Sequence, residues 1–146
     1  MKKLFIAALL TITLTASAFA TDTKKVNAMA IRNFNVEFTK ASKVTWTSTA
    51  DYVKATFVLD NEKMEAFYNG AGEKIGASKA ITINDLPVKT KRALAKDFDG
   101  YTVKEAIEFS TSDEVSYYIS VQNEKESVIL KVNSVNGLTK YKITKR

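Results

Sequence analysis

The sequence predicts an α+β fold, and three observations carry that expectation. Apolar residues recur at helical spacing twice, once from Val26 and once from Leu86. Between and after these segments the apolar period falls to two, the mark of half-buried strands. The tripeptide Asn61-Glu62-Lys63 also recurs as Asn123-Glu124-Lys125, with a similar hydrophobic phase around it. The expected architecture is a tandem repeat of helix plus antiparallel strands, forming one curved antiparallel sheet with helices packed on one face.

The elements follow in order. Met1-Lys2-Lys3 is a short cationic start, Leu4 to Leu14 is an apolar run, and Ala18-Phe19-Ala20 places small residues where a signal peptidase cuts. Residues 1–20 are therefore expected to be a cleaved signal peptide. The apolar run is well short of the ~20 residues that span a bilayer. No transmembrane segment is expected after its removal, and the location is expected to be secreted or periplasmic. Residues 21–146 are expected to form a single domain made of two halves, about 26–83 and 84–146.

In the first half, Ala30, Ile31, Phe34, Phe38 and Ala41 mark the apolar face of a helix over roughly Val26 to Thr39. Val44 and Trp46 alternate with polar neighbours, as do Val53, Ala55, Phe57 and Leu59. Asp60-Asn61-Glu62 reads as a tight turn, and Met64 to Asn69 as the returning strand. Gly70-Ala71-Gly72 is a second turn. Glu73 to Ile83 is extended, with an irregularity expected at Gly76. In the second half, Asn84 or Asp85 is expected to cap a helix with Pro87 in its first turn. Leu86, Ala93, Leu94 and Phe98 supply its buried face, and Asp99-Gly100 ends it. Alternation returns from Tyr101 to Phe109, from Val115 to Val121 and from Val128 to Val132. Asn136-Gly137 is the strongest hairpin signal in the chain, with Leu138 to Ile143 beyond it.

Composition narrows the function. Of 146 residues, 45% are apolar and 26% charged, the balance of a globular domain. The chain has no Cys and no His, which removes disulfides, thiol nucleophiles, Ser-His-Asp triads and His-based metal sites. Asp60 with Glu62 and Asp113 with Glu114 are acidic pairs, but they read as solvated turns without Ca²⁺-loop spacing. Asp97-Phe98-Asp99-Gly100 lacks the distal Glu of a Ca²⁺ loop, since Ala106 stands at that position. Asn69-Gly70-Ala71-Gly72 is not followed by the Gly-Lys-Ser/Thr of a phosphate loop. No catalytic, cofactor-binding or metal residue is assigned, no cofactor is expected, and the chain is expected not to be an enzyme.

Helices on one sheet face leave the other uncovered. Residues out of phase with the core point there: Tyr52, Lys54, Thr56, Phe67, Tyr118 and Ile129, with Trp46 also a candidate. Such a face suits protein binding, because aromatics give large contact area at small entropic cost. The same residues can instead complete the core. Lys89, Lys91, Arg92 and Lys96, and the C-terminal Lys140, Lys142, Lys145 and Arg146, make two basic stretches. They read as solvated faces or as an attraction to anionic surfaces. Export argues against nucleic acid as a partner.

The order of these motifs resembles the β-lactamase-inhibitor-like, PepSY-like secreted proteins. The residues that carry the resemblance are Phe34, Phe38, Ala41, Val44 and Trp46, then Tyr52, Phe57, Ala66 and Phe67. They continue with Gly70 and Gly72, then Ile83, Leu86, Pro87, Phe98 and Tyr101, and end with Tyr118, Ser120, Val121 and Gly137. The resemblance implies a tandem repeat with helices against a curved antiparallel sheet, in an extracytoplasmic protein. Inhibitors of this type with known targets carry disulfides, which this chain cannot form. The function expected is a secreted binding module that engages an unknown protein or peptide through its open sheet face. The alternatives are an inhibitor of an extracytoplasmic hydrolase and an envelope-associated protein binding anionic surfaces.

Overall fold

The computed structural model describes residues 26–133 and 135–146. The expected signal peptide lies outside these residues. The chain runs α1 (Ala28–Glu37), β1 (Ser42–Ser48), β2 (Val53–Leu59), β3 (Glu62–Tyr68) and β4 (Lys74–Ile81). After a 3-10 turn at Ile83–Asp85 come α2 (Val88–Asp97), β5 (Thr102–Ser110), β6 (Val115–Gln122), β7 (Glu126–Val132) and β8 (Leu138–Lys145). The eight strands form one antiparallel sheet, and their order in it is their order in the chain. The α+β class is as expected. The residues divide into two compact units. The α1 unit holds residues 26–79 with Phe109–Val115, and the α2 unit holds Ala80–Glu108 with Ser116–Arg146.

In the α1 unit the sheet pattern decides which side chains meet the helix. Ala55 and Phe57 of β2 and Ala66 and Tyr68 of β3 share one face, and Ala30 and Phe34 of α1 cover it. The helix starts at Asn27, whose side chain accepts from the Met29 N–H at 2.8 Å. It stops earlier than its apolar periodicity, with the Phe38 N–H still reaching the Phe34 carbonyl at 2.8 Å. Phe38 and Ala41 leave the helix but still pack on this core. In β4 the expected irregularity is present: Phe67 pairs with Gly76 and Tyr68 with Lys74, so Ile75 is bulged out of the ladder. Lys43 adopts φ 52°, and the β1–β2 register shifts there.

The α2 unit packs Leu94 and Phe98 against Ala106, Ile119, Val121, Val128, Leu130 and Val132. Its helix corrects one expectation. Neither Asn84 nor Asp85 caps α2, because Pro87 is itself the N-cap and offers no side-chain hydrogen bond. A residue before proline is pushed out of the helical region, and Leu86 accordingly lies at φ −74°, ψ 149°. The chain therefore makes a separate 3-10 turn first. Asp85 closes that turn, accepting from the Thr82 N–H at 2.8 Å and the Thr82 hydroxyl at 2.7 Å.

The recurring tripeptide sits in two different turns, and two other turns share a hydrogen-bond pattern. Asp60 and Asn61, with φ 50° and 66°, form a two-residue turn between the paired Leu59 and Glu62. The same tripeptide in the second half makes a wider turn, in which Asn123 pairs its backbone N–H with the Glu126 carbonyl at 3.0 Å. The turns that do match are β3–β4 and β7–β8. The Asn69 side chain accepts from the N–H groups of Ala71 and Glu73, and the Asn133 side chain from those of Val135 and Gly137. Each turn places one residue at positive φ: Gly72 at 84° and Asn136 at 59°. Each is also tied to its helix, since the Asn33 amide donates to the Gly72 carbonyl and the Thr90 hydroxyl to the Asn136 carbonyl, both at 2.8 Å.

Thr90 is fully buried, while Asn136 is exposed. Thr90→Val keeps the shape and removes the donor to the Asn136 carbonyl. It is expected to lower stability by about 0.5–1.5 kcal/mol, read as a shift in the urea midpoint. A wild-type midpoint would show that the bond contributes nothing.

Candidate functional site

Residues out of phase with the helix-facing set occupy the opposite sheet face in each unit. In the α1 unit these are Tyr52, Lys54, Thr56, Glu65 and Phe67. The Thr49 hydroxyl fixes Tyr52 at the entry to β2, accepting its backbone N–H at 3.1 Å. Lys54 stands opposite Phe67 across the β2–β3 ladder, and Thr56 opposite Glu65. The Tyr52 and Phe67 rings meet edge to face at 5.6 Å, and Phe109 extends the row, 6.2 Å from Phe67. Gly76 makes room for Phe109, because a Cβ there would lie 2.6 Å from the ring. Beside the rings, Lys54 Nζ pairs with Glu65 Oε1 at 2.9 Å. Burial raises the Tyr52 hydroxyl above its ordinary pKa, with further push from Glu65 and Asp51.

In the α2 unit the corresponding face carries Tyr118, Ser120, Ile129 and Lys131. Ile129 pairs with Ser120, and Lys131 with Tyr118. The Tyr118 and Tyr141 rings meet edge to face at 5.5 Å, and the Lys131 ammonium lies 5.7 Å from the centre of the Tyr118 ring. Burial, and then Tyr118, raise the Tyr141 hydroxyl.

The structure sorts the sequence-predicted residues. Tyr52, Lys54 and Phe67 come together, as do Tyr118 and Ile129. Trp46 does not join them. Its ring faces the helix side, 5.4 Å from Phe34 and 5.9 Å from Tyr68, and it completes the core. Exposure also differs from expectation. In the 146-residue chain Phe67 is 1% exposed, Tyr118 3%, Lys54 7% and Ile129 9%. The expected open aromatic surface is, at these four positions, a packed second layer. Ring-on-ring contact and the Lys54–Glu65 pair contribute to that packing. Phe109, Tyr141 and Lys131 belong to the layer but were not singled out from the sequence. Tyr141 escapes the alternation because the β7–β8 register shifts between Ile129 and Leu130.

The turn carboxylates do not converge. Among the described residues no three Asp or Glu side chains form a set that could hold a metal ion. Among them, too, no helix is long and apolar enough to cross a membrane. Lys140, Lys142 and Lys145 lie exposed along β8. The groups named on these faces are aromatic rings and ammonium groups, with the Glu65 carboxylate in the α1 unit.

No family sequence profile matches the chain, and no curated protein does. Solved structures do. A DUF2874 family protein from Bacteroides uniformis ATCC 8492 is similar with a TM-score of 0.71 at 12% identity, over 82% of this chain and 89% of that one. A protein from Bacteroides eggerthii DSM 20697, provisionally named as periplasmic, gives 0.71 at 12%, over 82% and 88%. A BLIP-like protein from Bacteroides fragilis NCTC 9343 gives 0.68 at 17%, over 85% and 90%. The chain therefore has a BLIP-like fold.

Proposed function

We propose that this chain is an exported, non-enzymatic protein-binding module. Its candidate face is the helix-free side of the sheet in each unit, where Tyr52 and Tyr141 are half-buried and Lys54, Phe67, Tyr118 and Ile129 form the packed layer that supports them. The carrying observation is that each unit builds a second aromatic layer on the face its helix does not cover. Burying the Lys54–Glu65 pair also costs desolvation that plain packing would avoid, which favours a role in specificity. The BLIP-like fold and the provisionally periplasmic neighbour support the reading, as does the leader-like sequence of residues 1–20. The PepSY-like part of the resemblance is carried with it.

We also read the two units as copies of one helix-and-four-strand motif. The matched Asn69 and Asn133 turns support this, as do the matched helix ends, where Phe38 bonds back to Phe34 and Phe98 to Leu94.

The test is capture of a partner from the native envelope by the purified mature chain, followed by titration of the isolated partner. Phe67→Ala with Tyr118→Ala is expected to weaken binding by about tenfold or more, equal to ~1.4 kcal/mol. Val36→Ala, on an exposed position of α1, serves as the control and is expected to leave binding unchanged. Circular dichroism checks that the double variant remains folded. Unchanged affinity in a folded double variant would remove the sheet-face assignment. The BLIP-like neighbour favours one narrower version, inhibition of an extracytoplasmic hydrolase. Slowing of a β-lactamase, protease or glycosidase in a panel would support it, and no slowing of any would count against it.

A further inference from the structure

A cleft of about 510 Å³ opens in the α2 unit, where the turn after α2, the start of β5, the β6–β7 turn and the end of β8 meet. Three cations from three separate segments line it: Lys104, Lys125 and Arg146. Glu124 supplies the side-chain carboxylate in its lining. Among the described residues none of the three cations is within ion-pair distance of a carboxylate.

The Arg146 fork and the turn that carries Lys125 are held in place by the protein itself. With its amide oxygen turned toward Arg146, Gln122 accepts from both terminal guanidinium nitrogens, at 2.7 and 3.0 Å, which fixes the plane of the fork. The Arg146 backbone N–H donates to the Lys125 carbonyl at 3.0 Å, tying the end of β8 to the turn. The Asn123 side chain accepts the Lys125 and Glu126 N–H groups, each at 2.9 Å, and so sets the turn itself. The Tyr101 hydroxyl donates to Glu126 beside it, and this bond raises the phenol above its ordinary pKa. Fixed donors reduce the ordering cost of binding. The rest of the lining is hydrophilic, with the Thr102 hydroxyl and the Glu124 carboxylate able to meet ligand hydroxyls.

We propose that this cleft binds a small hydroxyl-bearing oxyanion, the chemistry of a sugar phosphate. Arg146, Lys104 and Lys125 take the phosphoryl oxygens, since guanidinium and ammonium donors give the strongest hydrogen bonds to such groups. The volume suits a monosaccharide-sized ligand. The site is independent of the sheet-face assignment and uses none of its residues.

Glucose 6-phosphate, glucose and inorganic phosphate are titrated separately into the full chain, with backbone amide shifts as the readout. Saturable shifts at Gly100, Asn123 and Lys125 are expected with glucose 6-phosphate, at least about tenfold tighter than with either other probe and weakening as salt rises. Arg146→Gln and Lys104→Gln are each expected to weaken binding about tenfold. Lys142→Gln, on β8 outside the cleft lining, is expected to leave it unchanged. No saturation below about 10 mM would overturn the site. Equal binding of glucose would overturn the anion assignment, and equal binding of phosphate the sugar assignment. Equal loss in Lys142→Gln would reduce the effect to general surface charge.

Discussion

Replacing Phe34 by Ala is expected to destabilise the protein by about 3–5 kcal/mol, a large share of the ~5–15 kcal/mol that holds a typical domain folded. Phe34 is 2% exposed and sits at the middle of the α1 unit's aromatic cluster. Its ring lies 4.9 Å from Phe57, 5.2 Å from Phe38 and 5.4 Å from Trp46, with the Phe57 and Trp46 contacts edge to face. Removing it opens a cavity between helix and sheet, and the rings around it cannot close in without giving up their own contacts. Trp46 is the sole tryptophan, so its fluorescence reports on this site directly. The expected result is a lower urea midpoint and altered emission in the folded state. Phe34→Leu, which fills most of the space, should recover much of the loss. A Phe34→Ala midpoint within experimental error of wild type would mean that the helix does not depend on this cluster.

Gly72→Ala is expected to cost about 2–4 kcal/mol, for two separable reasons. Gly72 has φ 84°, where a side chain is strained. An added Cβ would also lie 2.7 Å from the Ala30 backbone nitrogen and 2.7 Å from the Met29 Cβ. The clash is with the first turn of α1, so relief requires the helix to move off the turn. Gly100 isolates the first reason, since it has φ 81° but nothing within 4 Å of an added Cβ. Gly100→Ala is therefore expected to cost only about 1–2 kcal/mol. Equal costs in the two variants would show that the close approach of helix and turn is not stabilising. Asn136 occupies the matching place at φ 59°, so a side chain is compatible with that turn in the α2 unit.

The recurring tripeptide takes two different turn forms. Asn61-Glu62-Lys63 and Asn123-Glu124-Lys125 are identical, yet one belongs to a two-residue turn and the other to a wider one. The turns that share a hydrogen-bond pattern begin at Asn69 and Asn133 and have little else in common in sequence. An Asn side chain that accepts two N–H groups sets the turn, and few other positions in it are constrained.

Periodicity made the elements legible. The two helices, the strands and the turn at Asp60-Asn61 all stand close to where apolar spacing and turn residues place them. Boundaries were less legible where a local effect overrode the pattern. Pro87 forced Leu86 out of the helix and moved the start of α2 to Val88, and Phe38 kept its apolar role after the helix had ended. The candidate face was half legible. Alternation put Tyr52, Lys54, Phe67, Tyr118 and Ile129 on the side away from the helices, but it could not place Trp46, Phe109 or Tyr141.

What the sequence determined by itself is the set of elements and the α+β class, because hydrophobic period and turn chemistry are local properties. Which ring meets which was decided only in three dimensions. Trp46 went to the helix side, where it meets Phe34 edge to face and Tyr68 at a tilt. Phe109 reached Phe67 because Gly76, on the strand between them, has no side chain to keep them apart. Lys54 became buried because Glu65, two positions from its direct cross-strand partner, could neutralise it. The convergence of Lys104, Lys125 and Arg146 on one cleft is likewise invisible along the chain. These contacts join residues far apart in sequence, and their energies depend on packing distance and desolvation, which exist only once the sheet has formed.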